Sequence, residues 1–292
     1  MSDLPIDTIF ELGEHITHEQ ERFLETYGFV HFRGVATSTE IDALVSEHEK
    51  ICREHVEKDR QSVYGVPIFY GRDEDGELLL NRSPFSSVYS EVIRDFVRDA
   101  RFEPIRKLVG EDARIGDEEK DGVVINLYKN VKGSFYPRLG WHTDGLRDLF
   151  YGRMPDRMLN VGLHFNRITE ADGGLRLVPG THNQGFWSMA FAKPYFISHG
   201  ADRREICVET EPGDLTIHDG RLWHRVARSE KVGDGSLRRS MYVPYVTGPY
   251  EPKNPDSKPV AYHRLFGMIT RLRRRLPLGK SRDRQDPIKT SG

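Results

Sequence analysis

Two rhythms of apolar residues divide the chain. Up to about residue 110 the pattern is mostly helical. In "THEQERFLETYG", Thr17 stands three before Gln20 in the spacing of a capping box, and Gly28 follows as a helix stop. "FVHFRGV" alternates Phe29–Val30–His31–Phe32 and predicts one short strand ending at Gly34. Thr37 and Glu40 form a second capping box, ahead of a helix with its stripe at Ile41, Leu44, Val45, Ile51, Cys52 and Val56. "SEVIRDFVRDARFEPIRKLVG" predicts a further helix, interrupted or ended near Pro104.

From about residue 122 the helical period gives way to short apolar runs punctuated by turn residues. In order they are "GVVINLYKN", "GWHTD", "MLNVGLHFNRI", "GGLRLVPGTH", "REICVET", "DLTIHDG", "WHRVARS" and "RRSMYVPYV". Eight such runs with no long helix between them predict a double-sheet β sandwich or jelly roll, mainly β with helices flanking it. No internal repeat or low-complexity tract interrupts the series. The organisation expected is one domain over 1–248 and a Pro- and charge-rich basic tail over 249–292. Within the tail, Leu265, Ile269, Leu272 and Leu276 make a short amphipathic stripe bordered by Arg271 and Arg273 to Arg275. That stripe fits either docking on the protein's own acidic body or contact with an anionic membrane surface or acidic partner.

Composition narrows the classes. At 37% hydrophobic residues the 292-residue chain can bury a sizeable core, and no run approaches a membrane span. "MSDLPIDTIFELGEH" lacks the basic-then-apolar order of a secretory signal, and Cys52 and Cys207 make neither a disulfide framework nor a cysteine zinc site. A cytoplasmic setting is expected. The net charge of −2 names no polyanionic partner, so nucleic acid is not expected. The charge is unevenly spread: Arg264 to Lys289 carries nine Lys/Arg against two Asp, a net of +7 that leaves −9 on the rest.

The chemistry gathers in "GWHTDGLRDLF". His142 and Asp144, two apart on a strand, project from one face and can converge on one ion. A third ligand must come from another strand, and "PGDLTIHDGRLWHRV" offers His218 and His224. Two histidines and one carboxylate on one face of an octahedral ion leave three open positions, the arrangement of non-haem Fe(II) oxygenases. When 2-oxoglutarate supplies the electrons for O2, its distal carboxylate needs a fork-shaped cation. "SLRRSMYVPYV" supplies Arg238 and Arg239, on opposite faces of one strand, so only one of them can serve.

These motifs resemble the phytanoyl-CoA dioxygenase family of Fe(II)/2-oxoglutarate oxygenases over roughly residues 17 to 246. "ITHEQERFLETYGFVHFRGVATSTEIDAL" is similar to the family's opening helix, strand and second helix. "WHTDG", "ITEADGGLRLVPGTH" and "PGDLTIHDGRLWHRV" resemble its HxD strand, its P-G-[ST]-H segment and its distal-ligand strand. The resemblance implies a double-stranded β-helix, iron ligands at His142, Asp144 and His224, and the 2-oxoglutarate anchor at Arg239, with Arg238 as the alternative. It also places Asn126, Tyr128 and Asn160 along the co-substrate pocket. "HRVARSEKVGDG" departs from the family's small residues and Asn after the distal histidine. Halogenating relatives lack the carboxylate, so Asp144 implies hydroxylation, or a desaturation, epoxidation or cyclisation, of a small organic substrate with release of succinate and CO2. Readings of other classes are a non-catalytic metal or small-ligand binding module, against which the intact ligands and the arginine speak, and a metal-dependent hydrolase, which has no use for Arg239 or 2-oxoglutarate.

Five other features carry two readings each. His218 fits local packing or a third ligand, His164 a satisfied core position or the cavity, and His182 a pocket-supporting turn or a ligand. "NQGFWSMAFAKPYFISHG" over 183–200 fits plain core packing or a substrate-facing flap. Arg147, Arg153 and Arg157 fit a solvated face or an anion contact.

Overall fold

The computed structural model of the chain describes residues 2–131 and 136–259. Both capping boxes form. Thr17 and Gln20 open α1 (His18–Tyr27), and Gly28 closes it in the left-handed conformation at φ 80°. Thr37 and Glu40 open α2 (Ser38–Glu57). After these come α3 (Ser86–Tyr89), α4 (Glu91–Val97) and α5 (Glu103–Val109). Pro104 sits in the first turn of α5, where its missing N–H costs nothing, so the break falls before it at residues 98–102.

The strands are β1 (Phe29–Phe32), β2 (Ser62–Val63), β3 (Val66–Pro67), β4 (Phe69–Arg72), β5 (Leu78–Ser83), β6 (Arg114–Ile115) and β7 (Val124–Tyr128). They continue as β8 (Leu139–His142), β9 (Met158–His164), β10 (Gly174–Leu177), β11 (Ile206–Cys207), β12 (Leu215–Asp219), β13 (His224–Ala227) and β14 (Arg238–Val246). Short helices α6 (Leu146–Phe150) and α7 (Phe186–Phe191) lie between them. All eight segments expected after residue 122 are strands. The hairpin β4–β5 is an addition to the expected helical N-terminal region: it extends the large sheet beside β7.

The large sheet runs β1-β12-β9-β14-β7-β5-β4, with β6 beside β14, and the small sheet runs β11-β10-β13-β8. They form a jelly roll that does not close into a barrel. Alternation gives the large sheet two unlike faces. Leu159, Val161, Leu163, Leu215, Ile217, Met241, Val243 and Tyr245 point to one side, where Phe23, Leu24, Ile41, Leu44, Ile51, Ile93 and Ile105 of the helices cover them. At about 1.5–3 kcal/mol per fully buried large apolar side chain, this layer is the main store of stability. The other side carries Asn126, Tyr128, Asn160, His164, Thr216, His218, Arg238, Ser240 and Tyr242, a polar lining turned toward the small sheet.

The first residues of the expected tail pack on the body. Tyr250 is buried with Met158 and Val246, and its hydroxyl donates to Asp148 at 2.9 Å. The basic stripe around Leu265–Leu276 lies outside the described residues. Among those described, no helix is long and apolar enough to cross a membrane.

Candidate metal centre

His142 ends β8, Asp144 follows it by two, and His224 opens β13. The antiparallel pairing of β8 with β13 sets His142 directly opposite His224. Their rings stand 4.0 Å apart, centroid to centroid. Among the described residues, these three are the set whose ligand atoms all lie within 4.8 Å of one another. A backbone bond from the Asp144 N–H to the Gly220 carbonyl, 2.7 Å, ties the carboxylate's loop to the turn after β12.

The tautomers follow from the partners. His142 Nδ1 lies 2.8 Å from the Gly140 carbonyl and His224 Nδ1 lies 3.0 Å from the Leu222 carbonyl. A carbonyl only accepts, so each Nδ1 carries the proton and each Nε2 presents a lone pair. Burial lowers the pKa of both rings and keeps them neutral. For Asp144 burial opposes the charge, but His224, His218 and His142 outweigh it and hold the carboxyl below the usual range. Two neutral imidazoles and a charged carboxylate are the donor set a divalent iron requires.

His218 lies beside this group but does not supply one of the three gathered ligand atoms. Its ring is 4.6 Å from that of His224, and its Nε2 is 3.3 Å from Asp144 Oδ2. Asn160, expected along the co-substrate pocket, donates to the same Oδ2 at 3.2 Å. His164 faces the interior and bonds Thr216 Oγ1 at 2.8 Å, while His182 reaches back to the Glu25 carbonyl of α1 at 3.1 Å.

The two arginines part company. Arg239 points into the helical layer, with Glu49 of α2 at 3.4 Å, so the pocket does not receive it. Arg238 points inward. It is 3% exposed, with Nη1 on the Ala227 carbonyl (2.8 Å), Nη2 on the Pro137 carbonyl (3.0 Å) and its guanidinium over the Tyr128 ring at 5.5 Å. Its Nε is buried without a partner, and desolvation pushes its pKa down to about 10. Tyr128 shares its face, as does the half-buried Asn126 two residues earlier.

The alternation of β14 already carried this signal. Arg239 has the parity of Met241, Val243 and Tyr245, whereas Arg238 has the parity of Ser240 and Tyr242. His218 likewise shares parity with Thr216, against Leu215 and Ile217.

The aromatic segment after β10 is a strap. Trp141 donates its backbone N–H to Ser198 (2.9 Å) and accepts from Phe196 (2.9 Å), and Thr143 Oγ1 meets the Tyr195 hydroxyl at 2.7 Å. Gly140 permits the approach, since a Cβ there would come within 2.5 Å of the Phe196 carbonyl oxygen. Phe196 thereby lies 4.9 Å from the His142 ring. Trp187, Phe191 and Ile197 of the same segment are exposed, as are Phe150 and Tyr151 on and just after α6. Of the arginines between α6 and β9, Arg153 lies 3.5 Å from Asp148 and Arg147 lies over the Tyr250 ring at 5.9 Å. The Nε of Arg157 is buried without a partner.

No curated protein matches the chain. Several solved structures share the fold at low identity. The non-heme alpha-ketoglutarate-dependent carbocyclase SnoK from nogalamycin biosynthesis is 18% identical, with TM-score 0.58, covering 87% of this chain and 91% of that one. HygX from Streptomyces hygroscopicus, solved with iron bound, is 18% identical, with TM-score 0.58 and coverage of 86% and 94%. EvdO2 from Micromonospora carbonacea var. aurantiaca, solved with 2-oxoglutarate, is 17% identical, with TM-score 0.56 and coverage of 85% and 99%. The family model for phytanoyl-CoA dioxygenase matches residues 24–231, a span from α1 through β13 that includes all three ligands. The chain belongs to the phytanoyl-CoA dioxygenase (PhyH) family of oxygenases.

Proposed function

We propose that the protein oxidises a C–H bond of a small organic substrate, by hydroxylation or a related outcome, using iron held by His142, Asp144 and His224 and 2-oxoglutarate anchored by Arg238. The observation that carries this reading is the pairing of the ligand set with a buried arginine that has no carboxylate partner among the described residues. An uncompensated buried guanidinium is costly, and a dicarboxylate co-substrate supplies the missing charge. When bound, iron and 2-oxoglutarate supply the two-electron reduction of O2, coupled to decarboxylation to succinate and CO2, with the second oxygen atom available to the substrate.

The chain's own residues bind, orient and exclude water. The Nδ1–carbonyl bonds aim both ring lone pairs at one point, and the charged Asp144 matches the cation. Arg238, with Tyr128 beside it, fixes the distal carboxylate at one end of the pocket. Phe196 and the strap shield the His142 side, and the exposed aromatic residues on and near α6 and α7 favour a substrate with an apolar body. The names of the carbocyclase SnoK and the epimerase SnoN from nogalamycin biosynthesis support keeping ring formation and epimerisation beside hydroxylation.

The test is succinate release from 2-oxoglutarate, with and without Fe(II), across a panel of organic metabolites. Fe(II)-dependent succinate, stimulated by one class of substrate, is expected. Turnover that persists without 2-oxoglutarate, or that is untouched in Arg238→Ala, would favour a metal-dependent hydrolase and overturn the proposal.

A further inference from the structure

We infer that His218 is a positioning residue that, together with Asn160, holds the outer oxygen of Asp144 and so restricts that carboxylate to binding the metal through a single oxygen. This rests on the metal site proposed above and concerns how that site keeps its open positions.

The pairing of β9 with β12 sets Asn160 directly opposite His218, on the face turned toward the metal centre. Both reach the same atom: Asn160 Nδ2 at 3.2 Å and His218 Nε2 at 3.3 Å from Asp144 Oδ2. The other oxygen, Oδ1, faces His224 Nε2 at 3.8 Å, on the side where the three ligand atoms gather. His218 is not in that set, although its Nε2 lies 3.3 Å from Oδ2. It is 1% exposed, and its contact with Oδ2 lies off the ideal hydrogen-bond direction, leaving both ring nitrogens without a formed partner. A buried imidazole in that state gains from a carboxylate turned a little toward it.

The consequence for coordination is direct. A carboxylate oxygen offers two in-plane lone pairs; Asn160 already uses one at Oδ2, and a small turn of the carboxylate gives His218 the other. Oδ1 alone then remains for the metal, and three positions stay open: two for a chelating 2-oxo acid and one for O2. A carboxylate free to chelate would close one of them.

The experiment is anaerobic titration of the full chain with Co(II) alone, followed by absorption spectroscopy, which reports affinity and coordination number without turnover. His218→Asn and His218→Gln share an amide and differ in reach. The Asn variant, too short for Oδ2, is expected to bind Co(II) about 10–100-fold more weakly, the usual effect of losing an outer partner of a ligand. The Gln variant is expected to stay close to the wild-type chain, and Asn160→Leu to weaken binding on its own. Equal affinity and spectra for wild type and His218→Asn would overturn the inference. So would equal losses in the Asn and Gln variants, which would reduce His218 to a space-filling ring. Spectra showing an imidazole ligand lost in both variants would instead make His218 a ligand and overturn it too. A wild-type chain that binds no Co(II) would overturn the proposed function along with it, whereas Co(II) binding without succinate release would overturn only the proposed function.

Discussion

Arg238 and Arg239 share a peptide bond and lie on opposite sides of one sheet, so they compare what each face does with a buried cation. Arg239 enters a helical layer that supplies Glu49 of α2 at 3.4 Å, near enough to His48 and Cys52 of the same helix to act on both electrostatically. Arg238 enters the pocket, where two backbone carbonyls and an aromatic ring meet it, with no carboxylate in an ion pair among the described residues. The helix-covered face is self-sufficient in charge. On the pocket face the proposed 2-oxoglutarate carboxylate would complete the charge of Arg238, and the two arginines are the means of testing that reading.

The comparison can be broken or sharpened experimentally, and the largest effect belongs to the metal ligands on the pocket side. Asp144→Ala is expected to abolish Fe(II) binding and bring succinate release to background while the fold persists, as read by metal titration and circular dichroism. Next come the paired arginines. Arg238→Ala is expected to raise the KM for 2-oxoglutarate about 10–100-fold, the range for losing charge-assisted hydrogen bonds. Arg239→Ala should leave that KM unchanged and cost roughly 0.5–3 kcal/mol of stability in urea denaturation. Equal KM effects from the two variants would erase the distinction between the faces.

Acid probes both faces together. Burial lowers His48 to about 3 and His55 to about 4 on the helical side, and His164 to about 3 on the pocket side. An unfolded chain takes up these protons near pH 6.5, so below that value it holds more protons than the folded one. Stability therefore falls as pH drops from about 6.5 toward 4, by up to about 1.4 kcal/mol per pH unit for each histidine. Urea midpoints of the metal-free protein that stay flat between pH 7 and 5 would contradict neutral buried rings. The smallest effect expected is Thr37→Ala, which removes the α2 cap for about 1 kcal/mol and leaves metal and 2-oxoglutarate binding intact.

Local signals in the sequence were legible and held. The Thr17 and Thr37 boxes, the Gly28 stop and the eight late strands depend on residues within a few positions of each other. What escaped depends on partners far away in the chain. Which face of the sheet Arg238 and Arg239 each take follows from the register of β14, where Arg238 pairs with Tyr128 and Arg239 with Leu127. The bond from Asn160 to Asp144 depends on its strand lying beside β12, a neighbour set by topology. The β4–β5 hairpin was hidden by charge: its turn, Asp73 to Glu77, reads as a solvated acidic run, although Asp73 Oδ1 accepts the backbone N–H groups of Asp75 and Glu77 and makes the turn itself.

Each histidine ligand is fastened to the carbonyl two residues before it, His142 to Gly140 and His224 to Leu222, so its orientation is fixed by its own strand. Zinc fingers do the reverse and assemble their ligands only around the ion. Here the anchoring of each ring to its own strand predicts a site that keeps its shape without the ion, so that protein made without iron would take it up afterwards on a finished fold.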